Sequence, residues 1–74
     1  MIDRQLWQEH LAQAERHVAQ GQQHVTRQRR VIAELECDGH DAKAARQLLK
    51  QFEEMLALHI ADRDRLREEL KDKD

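Results

Sequence analysis

The stretch ECDGHD at residues 36–41 decides the fold of this chain, because it is the one strong break in a helix-favouring sequence. Glycine readily adopts the left-handed conformation that ends many helices, so Gly39 is expected to terminate a first helix. Asp41 can cap a second helix, whose first turn reads AKAA at residues 42–45. So short a connection predicts two antiparallel neighbouring helices.

The composition favours helix along the whole chain. Its 74 residues include no proline and only two glycines, and alanine, leucine, glutamine, glutamate, arginine and lysine dominate. That length allows a single domain. We predict an all-α fold, an antiparallel two-helix hairpin resembling a coiled coil. Its parts over residues 1–74 are helix 1 at about 3–36, the turn at 37–41 and helix 2 at about 42–70.

Both helices carry residues that repeat every seven positions and form one face. The rows in helix 1 are Leu11, Val18, Val25 and Ile32, and Trp7, Ala14, Gly21, Gln28 and Leu35. The face of helix 2 consists of Ala42, Ala45, Leu49, Phe52, Leu56, His59, Arg63, Leu66 and Leu70. The turn sets the register, so residues whose numbers sum to about 77 are expected to face each other. Asp3 is the expected cap of helix 1, with Ile2 packing on Trp7.

Two features of these faces need explanation. Gly21 costs roughly 1 kcal/mol in helix propensity relative to alanine, and we interpret it as a point of close helix approach rather than a hinge. His59 and Arg63 place polar groups in the face of helix 2. They either set register and partner choice or reach water near the open end of the hairpin.

Helix 2 is apolar over a wider arc than one partner helix can cover, since Leu48, Met55 and Ile60 flank its face. A lone hairpin also buries little surface and usually needs a partner to be stable. We therefore predict a homodimer that forms a four-helix bundle. Its expected self-association residues are Leu48, Phe52, Met55, Leu56 and Ile60.

A column of three histidines, His10, His17 and His24, lies beside the face of helix 1. Such a column can act as a pH-sensitive element, or it can be an ordinary polar flank. Residues seven apart are separated by ~10.5 Å along a helix and cannot share one metal ion. A cross-helix pair such as His17 with His59 lacks further ligands. We predict no metal and no cofactor.

Several functions are disfavoured by composition. The net charge of −2 and the near balance of acids and bases argue against nucleic acid and membrane as partners. The basic cluster Arg27, Arg29 and Arg30 lacks stacking aromatics and is expected to be a solvated face with internal ion pairing. No apolar run approaches the ~20 residues that span a bilayer, the N-terminus is too polar for a signal peptide, and Cys37 has no second cysteine to pair with. The expected location is the cytoplasm.

Catalytic residues are not predicted. Serine and tyrosine are absent, and no nucleophile, base and acid combine at useful spacings. The expected function is a non-enzymatic, self-associating protein-protein interaction module. The alternative is a small regulatory protein that binds a helical partner such as a signalling kinase or a transcription factor.

Two long segments carry a resemblance to a protein family. The run LECDGHDAKAARQLLKQFEEMLALHIADRDRL, with AERHVAQGQQHVTRQRRVIAEL upstream, resembles a group of small uncharacterised proteins of alphaproteobacteria, especially rhizobia. The common features are a histidine-containing first helix, a DGHD turn and a second helix with LHxADRDRL. The resemblance implies a bacterial, cytosolic helical hairpin and no particular activity. Cys37 departs from the pattern.

Overall fold

A computed structural model describes residues 3–72, and within that range the chain forms two helices and no strand. Helix α1 spans Arg4–Cys37 and helix α2 spans Lys43–Asp72, each end within two residues of its expected position. The two helices pack against each other along their length, which confirms the all-helical hairpin. The expected packing of Ile2 on Trp7 falls outside the described residues.

Both helix starts have the side-chain caps that the sequence indicates. The Asp3 carboxylate accepts a hydrogen bond of 3.0 Å from the backbone N–H of Gln5. The Asp41 carboxylate accepts one of 2.9 Å from the backbone N–H of Lys43. Each satisfies a backbone donor that has no partner within the first turn of its helix.

The end of α1 is closed by main-chain hydrogen bonds around Gly39, which has φ of +76°. The His40 N–H donates to the Leu35 carbonyl at 2.8 Å, and the Gly39 N–H donates to the Glu36 carbonyl at 3.1 Å. This is the Schellman arrangement, which needs one residue in the left-handed region. The turn therefore depends on the backbone freedom of one glycine.

Gly39→Ala is expected to lower the free energy of unfolding by about 1 kcal/mol, because a Cβ at positive φ strains the backbone. Nothing lies within 4 Å of the site that the Cβ would occupy, so a clash adds nothing to this strain. Urea unfolding followed by circular dichroism measures the change. Gly39→Asn is the matched control and should lose about half as much, since asparagine tolerates this conformation. Equal stability of the glycine and alanine forms would contradict the prediction.

The helices meet in the register that the turn predicts. A Cβ built on Gly21 would lie 3.0 Å from the Leu56 Cδ1 atom, which confirms close approach at this glycine. On one side of that contact the rings of His17 and His59 are 5.0 Å apart, and on the other His24 lies on Phe52.

The core of the hairpin is a thin seam between two helices. Its buried residues are Ala14, Val18, Val25, Gln28, Ile32, Ala42, Leu66 and Leu70. No large side chain within residues 3–72 is completely shielded from solvent. The Cα trace of the hairpin extends over 58 × 14 × 13 Å, so every residue lies close to a surface. Much apolar area thus remains available for a further contact.

Gln28 is a buried polar anchor that the sequence pattern alone does not reveal. Only 8% of its surface is exposed, and its side-chain Nε2 donates a 2.9 Å hydrogen bond to the Ala45 carbonyl of the opposite helix. Buried polar groups of this kind select one register, because a shifted pairing would leave them without a partner.

Candidate functional site

The two long sides of the hairpin differ in chemistry, and the first is closed by ion pairs. The pairs are Glu36–Arg46 at 2.7 Å, Arg29–Glu53 at 3.3 Å and Glu15–Arg67 at 3.0 Å. Their members lie seven or fourteen residues apart on each helix, so all three fall on one side, which we call the ion-pair face. The same spacing places Gln22 and Ile60 between them.

The ion-pair face contributes more to orientation than to stability. Its charged side chains are about half exposed, and exposed pairs of this kind are worth ~0–1 kcal/mol each. A third helix could pack here only by removing water from six charged groups, which is costly unless new partners replace it. This side is therefore poorly suited to apolar docking.

The opposite side, which we call the histidine face, carries rings and apolar groups. The His17 and His59 ring centroids are 5.0 Å apart across the helices, and those of His24 and Phe52 are 5.5 Å apart. A shallow groove runs between these two pairs of rings, and Gly21 lies in its lining. Its lining is His17, Gln20, Gly21, His24, Phe52, Met55 and His59.

Large hydrophobic residues extend the histidine face along the hairpin. Leu48 is 39% exposed and Met55, one heptad later on the same side, is 54% exposed. Leu58 is 67% exposed and follows Met55 by three residues, while Leu6 is 48% exposed and precedes His10 by four. These same-side spacings place every exposed large hydrophobic of residues 3–72 on or beside this face. Leu58 and Leu6 were not among the predicted interface residues, because both lie outside the heptad rows of their helices.

The five predicted self-association residues do not share one surface. Leu48, Phe52 and Met55 lie on the histidine face. Leu56 instead packs against Gly21 between the helices, and Ile60 falls on the ion-pair face by its spacing from Glu53. The reason is geometric: an apolar arc this wide reaches from one flank of α2 across the core to the other.

The predicted histidine column lies along one side of α1, with each ring beside a different neighbour. His10 makes an edge contact with Trp7 at 6.1 Å between ring centroids. Asp62 and Arg65 border the groove next to His10 and His17, but Asp62 accepts a 2.7 Å hydrogen bond from Arg65. That hydrogen bond raises the pKa of the Arg65 guanidinium. Sensitivity of this column to pH stays a prediction.

The two polar residues in the face of α2, His59 and Arg63, lie in different environments. His59 is held against His17, whereas Arg63 extends to the edge, where its guanidinium lies 3.0 Å from the Asp64 carboxylate. Arg63 thus reaches water, as long cationic side chains do when their stems are buried.

The basic cluster of α1 does not act as one patch. Arg29 binds Glu53 across the hairpin, while Arg27 and Arg30 border an outer groove of α1.

Within residues 3–72, no three histidine, cysteine or acidic side chains converge as a metal site. Neither helix is long and apolar enough to cross a membrane over the same residues. Cys37 is exposed at the end of α1.

The chain matches no protein-family model, no curated protein and no solved structure.

Proposed function

We propose that this chain is a non-enzymatic interaction module that self-associates through the histidine face to form a four-helix bundle. The observation that carries the proposal is the distribution of exposed apolar residues. Leu48, Met55 and Leu58 lie on the side of α2 that the ion pairs leave open. A second hairpin packed there would cover them and complete a core that one hairpin leaves thin.

Electrostatics favour a second copy as the occupant of this face. The groove lining contains no carboxylate, ammonium or guanidinium group. At the centre of the face two like grooves can therefore meet without opposing like charges, and the charged groups beside the groove, Asp62 and Arg65, are already paired with each other at 2.7 Å. A self-complementary patch of this kind is what a two-fold symmetric interface requires.

The dimensions of the hairpin also suit a dimer. On a long side the Cα trace extends over 58 × 14 Å, which is a projected footprint of about 800 Å². Stable interfaces of standard size bury about that area on each partner. The full length of the face is therefore enough for a specific dimer, whereas a contact limited to the groove would not be.

Met55→Glu is expected to weaken self-association by about 10- to 100-fold, because it places an unpaired carboxylate in the interface. Sedimentation equilibrium at chain concentrations of about 1 to 100 µM, a range that covers micromolar dissociation constants, measures the change in affinity. The matched control is Ala57→Glu, at an exposed site two residues along on the outer side of α2, which should leave assembly unchanged. Circular dichroism establishes that both variants are helical.

A second measurement keeps the proposal testable should Met55→Glu unfold. In a Cys37→Ser background, Met55→Cys should cross-link between chains with a short bismaleimide, and Ala57→Cys should not. A folded monomer at ~100 µM that fails to cross-link at Met55 would overturn self-association. It would turn attention to a helical partner protein, such as a kinase or transcription factor, bound on the same face.

A further inference from the structure

We propose that His17 and His59 form half of a transition-metal site that the second copy completes. The inference rests on the proposed self-association through the histidine face. It concerns a metal ion bound at that interface. The imidazole nitrogens would coordinate a divalent ion of intermediate softness, such as Zn²⁺.

The two rings already have a spacing that suits a shared ion. Their centroids are 5.0 Å apart and their planes are inclined at 47°. Two imidazoles bound to one tetrahedral ion at Zn–N distances of ~2.0–2.1 Å place their ring centres roughly 5 Å apart. Each ring comes from a different helix, and both side chains are half-buried, so the two packed helices limit how far the rings can separate.

One chain supplies only two ligands at this place. The carboxylate that lines the adjoining groove, Asp62, is engaged by Arg65 at 2.7 Å. No third donor converges on the pair within residues 3–72. A two-ligand site holds an ion weakly, so further ligands must come from outside the chain.

The position of the His17–His59 pair along the hairpin determines which residues of a second copy can complete the site. Helix α1 runs from residue 4 to residue 37, so His17 and His24 lie on opposite sides of its midpoint. Each is about 5 Å from that midpoint at 1.5 Å per residue. Symmetric pairing over the full length of the face therefore sets the second copy's imidazoles at about the same level along the bundle as this pair.

Both full-length two-fold arrangements supply at least one further imidazole. If the hairpins run in the same direction, the pair meets the second copy's His17 and His59, which makes four ligands and one ion per dimer. If they run in opposite directions, it meets the second copy's His24, which makes three ligands and two ions per dimer. The stoichiometry therefore reports the arrangement of the bundle.

Zinc titration of the full chain, stripped of metal by chelation, tests the proposal. Calorimetry should show binding, and sedimentation should show that Zn²⁺ tightens self-association at least about tenfold. His17→Ala and His59→Ala should each weaken zinc binding at least about tenfold. His40→Ala, in the exposed turn, is the control and should bind as the wild type does. If either alanine variant loses helical structure, His17→Gln and His59→Gln replace it in the same zinc titration.

The outcomes separate this inference from the proposed function. A chain that self-associates with EDTA present but binds no Zn²⁺ overturns the metal site alone. Zinc affinity that is unchanged in His17→Ala and His59→Ala also overturns it. A chain that stays monomeric with and without zinc overturns the proposed function as well.

Discussion

Gln28→Glu is expected to lower the free energy of unfolding by about 2–3 kcal/mol at pH 7, a large fraction of the stability of a small domain. The amide of Gln28 is nearly buried and donates to the Ala45 carbonyl at 2.9 Å. A carboxylate of the same shape has no proton to donate and sets a negative charge against that carbonyl oxygen. Chemical unfolding at fixed chain concentration measures the loss.

The deficit of Gln28→Glu should shrink as the pH falls from 7 to 4. Burial raises the folded-state pKa of the introduced carboxyl above its unfolded value, so folding favours the protonated form. The variant is therefore closest to wild type below the unfolded pKa, and its penalty grows as the pH rises through the folded pKa. A deficit that is independent of pH would contradict this account.

Two further substitutions complete this experiment. Gln23→Glu, on the exposed side of α1, is the matched control and should change stability by less than about 0.5 kcal/mol. Gln28→Met keeps the volume and removes the polar group, so it should be neutral or slightly stabilising. If Gln28→Glu matched Gln23→Glu at pH 7, the hydrogen bond to Ala45 would not be an anchor.

Gly21→Leu is expected to lower the free energy of unfolding by about 1–2 kcal/mol. Even a Cβ at this position would lie 3.0 Å from the Leu56 Cδ1 atom, so a longer side chain must push the helices apart. Overpacking of this kind costs about 1–3 kcal/mol, and the better helix propensity of leucine returns up to ~1 kcal/mol. Thermal and urea unfolding of the two proteins give the difference.

A size swap tests whether the loss comes from the Leu56 contact. Leu56→Ala alone should also destabilise the hairpin, because it leaves a gap beside Gly21. Combining the two substitutions should recover stability and give a coupling of at least about 1 kcal/mol in a double-mutant cycle. Additive losses would show that Gly21 serves something other than close packing.

The predictable part of the fold is the part that depends on local chemistry. Asp3, Gly39 and Asp41 act through hydrogen bonds within a few residues of themselves, so their roles follow from position alone. The register follows from them, because a short turn leaves two long helices few ways to align. Gly21 therefore falls beside Leu56 as its number predicts.

The candidate site was predictable only in part. Leu48, Phe52 and Met55 lie on the proposed surface, but Leu56 faces the core and Ile60 lies on the ion-pair face. An apolar stripe on a helix shows how wide its apolar surface is. It does not show which edge of that surface stays exposed after the first partner helix has packed. Leu58 and Leu6 lie outside the heptad face and carry no weight until the open side is known.

By itself, the sequence determined a helical hairpin, its caps, its turn and its register, since each depends on the conformational preference of single residues or on a seven-residue repeat. Only the tertiary structure decided that the two sides of the hairpin differ. Charged pairs close one side because residues far apart along the chain, such as Glu15 and Arg67, meet across it. The other side brings His17 to His59 and leaves Met55 exposed. Such contacts join two helices, and no pattern within either helix contains them.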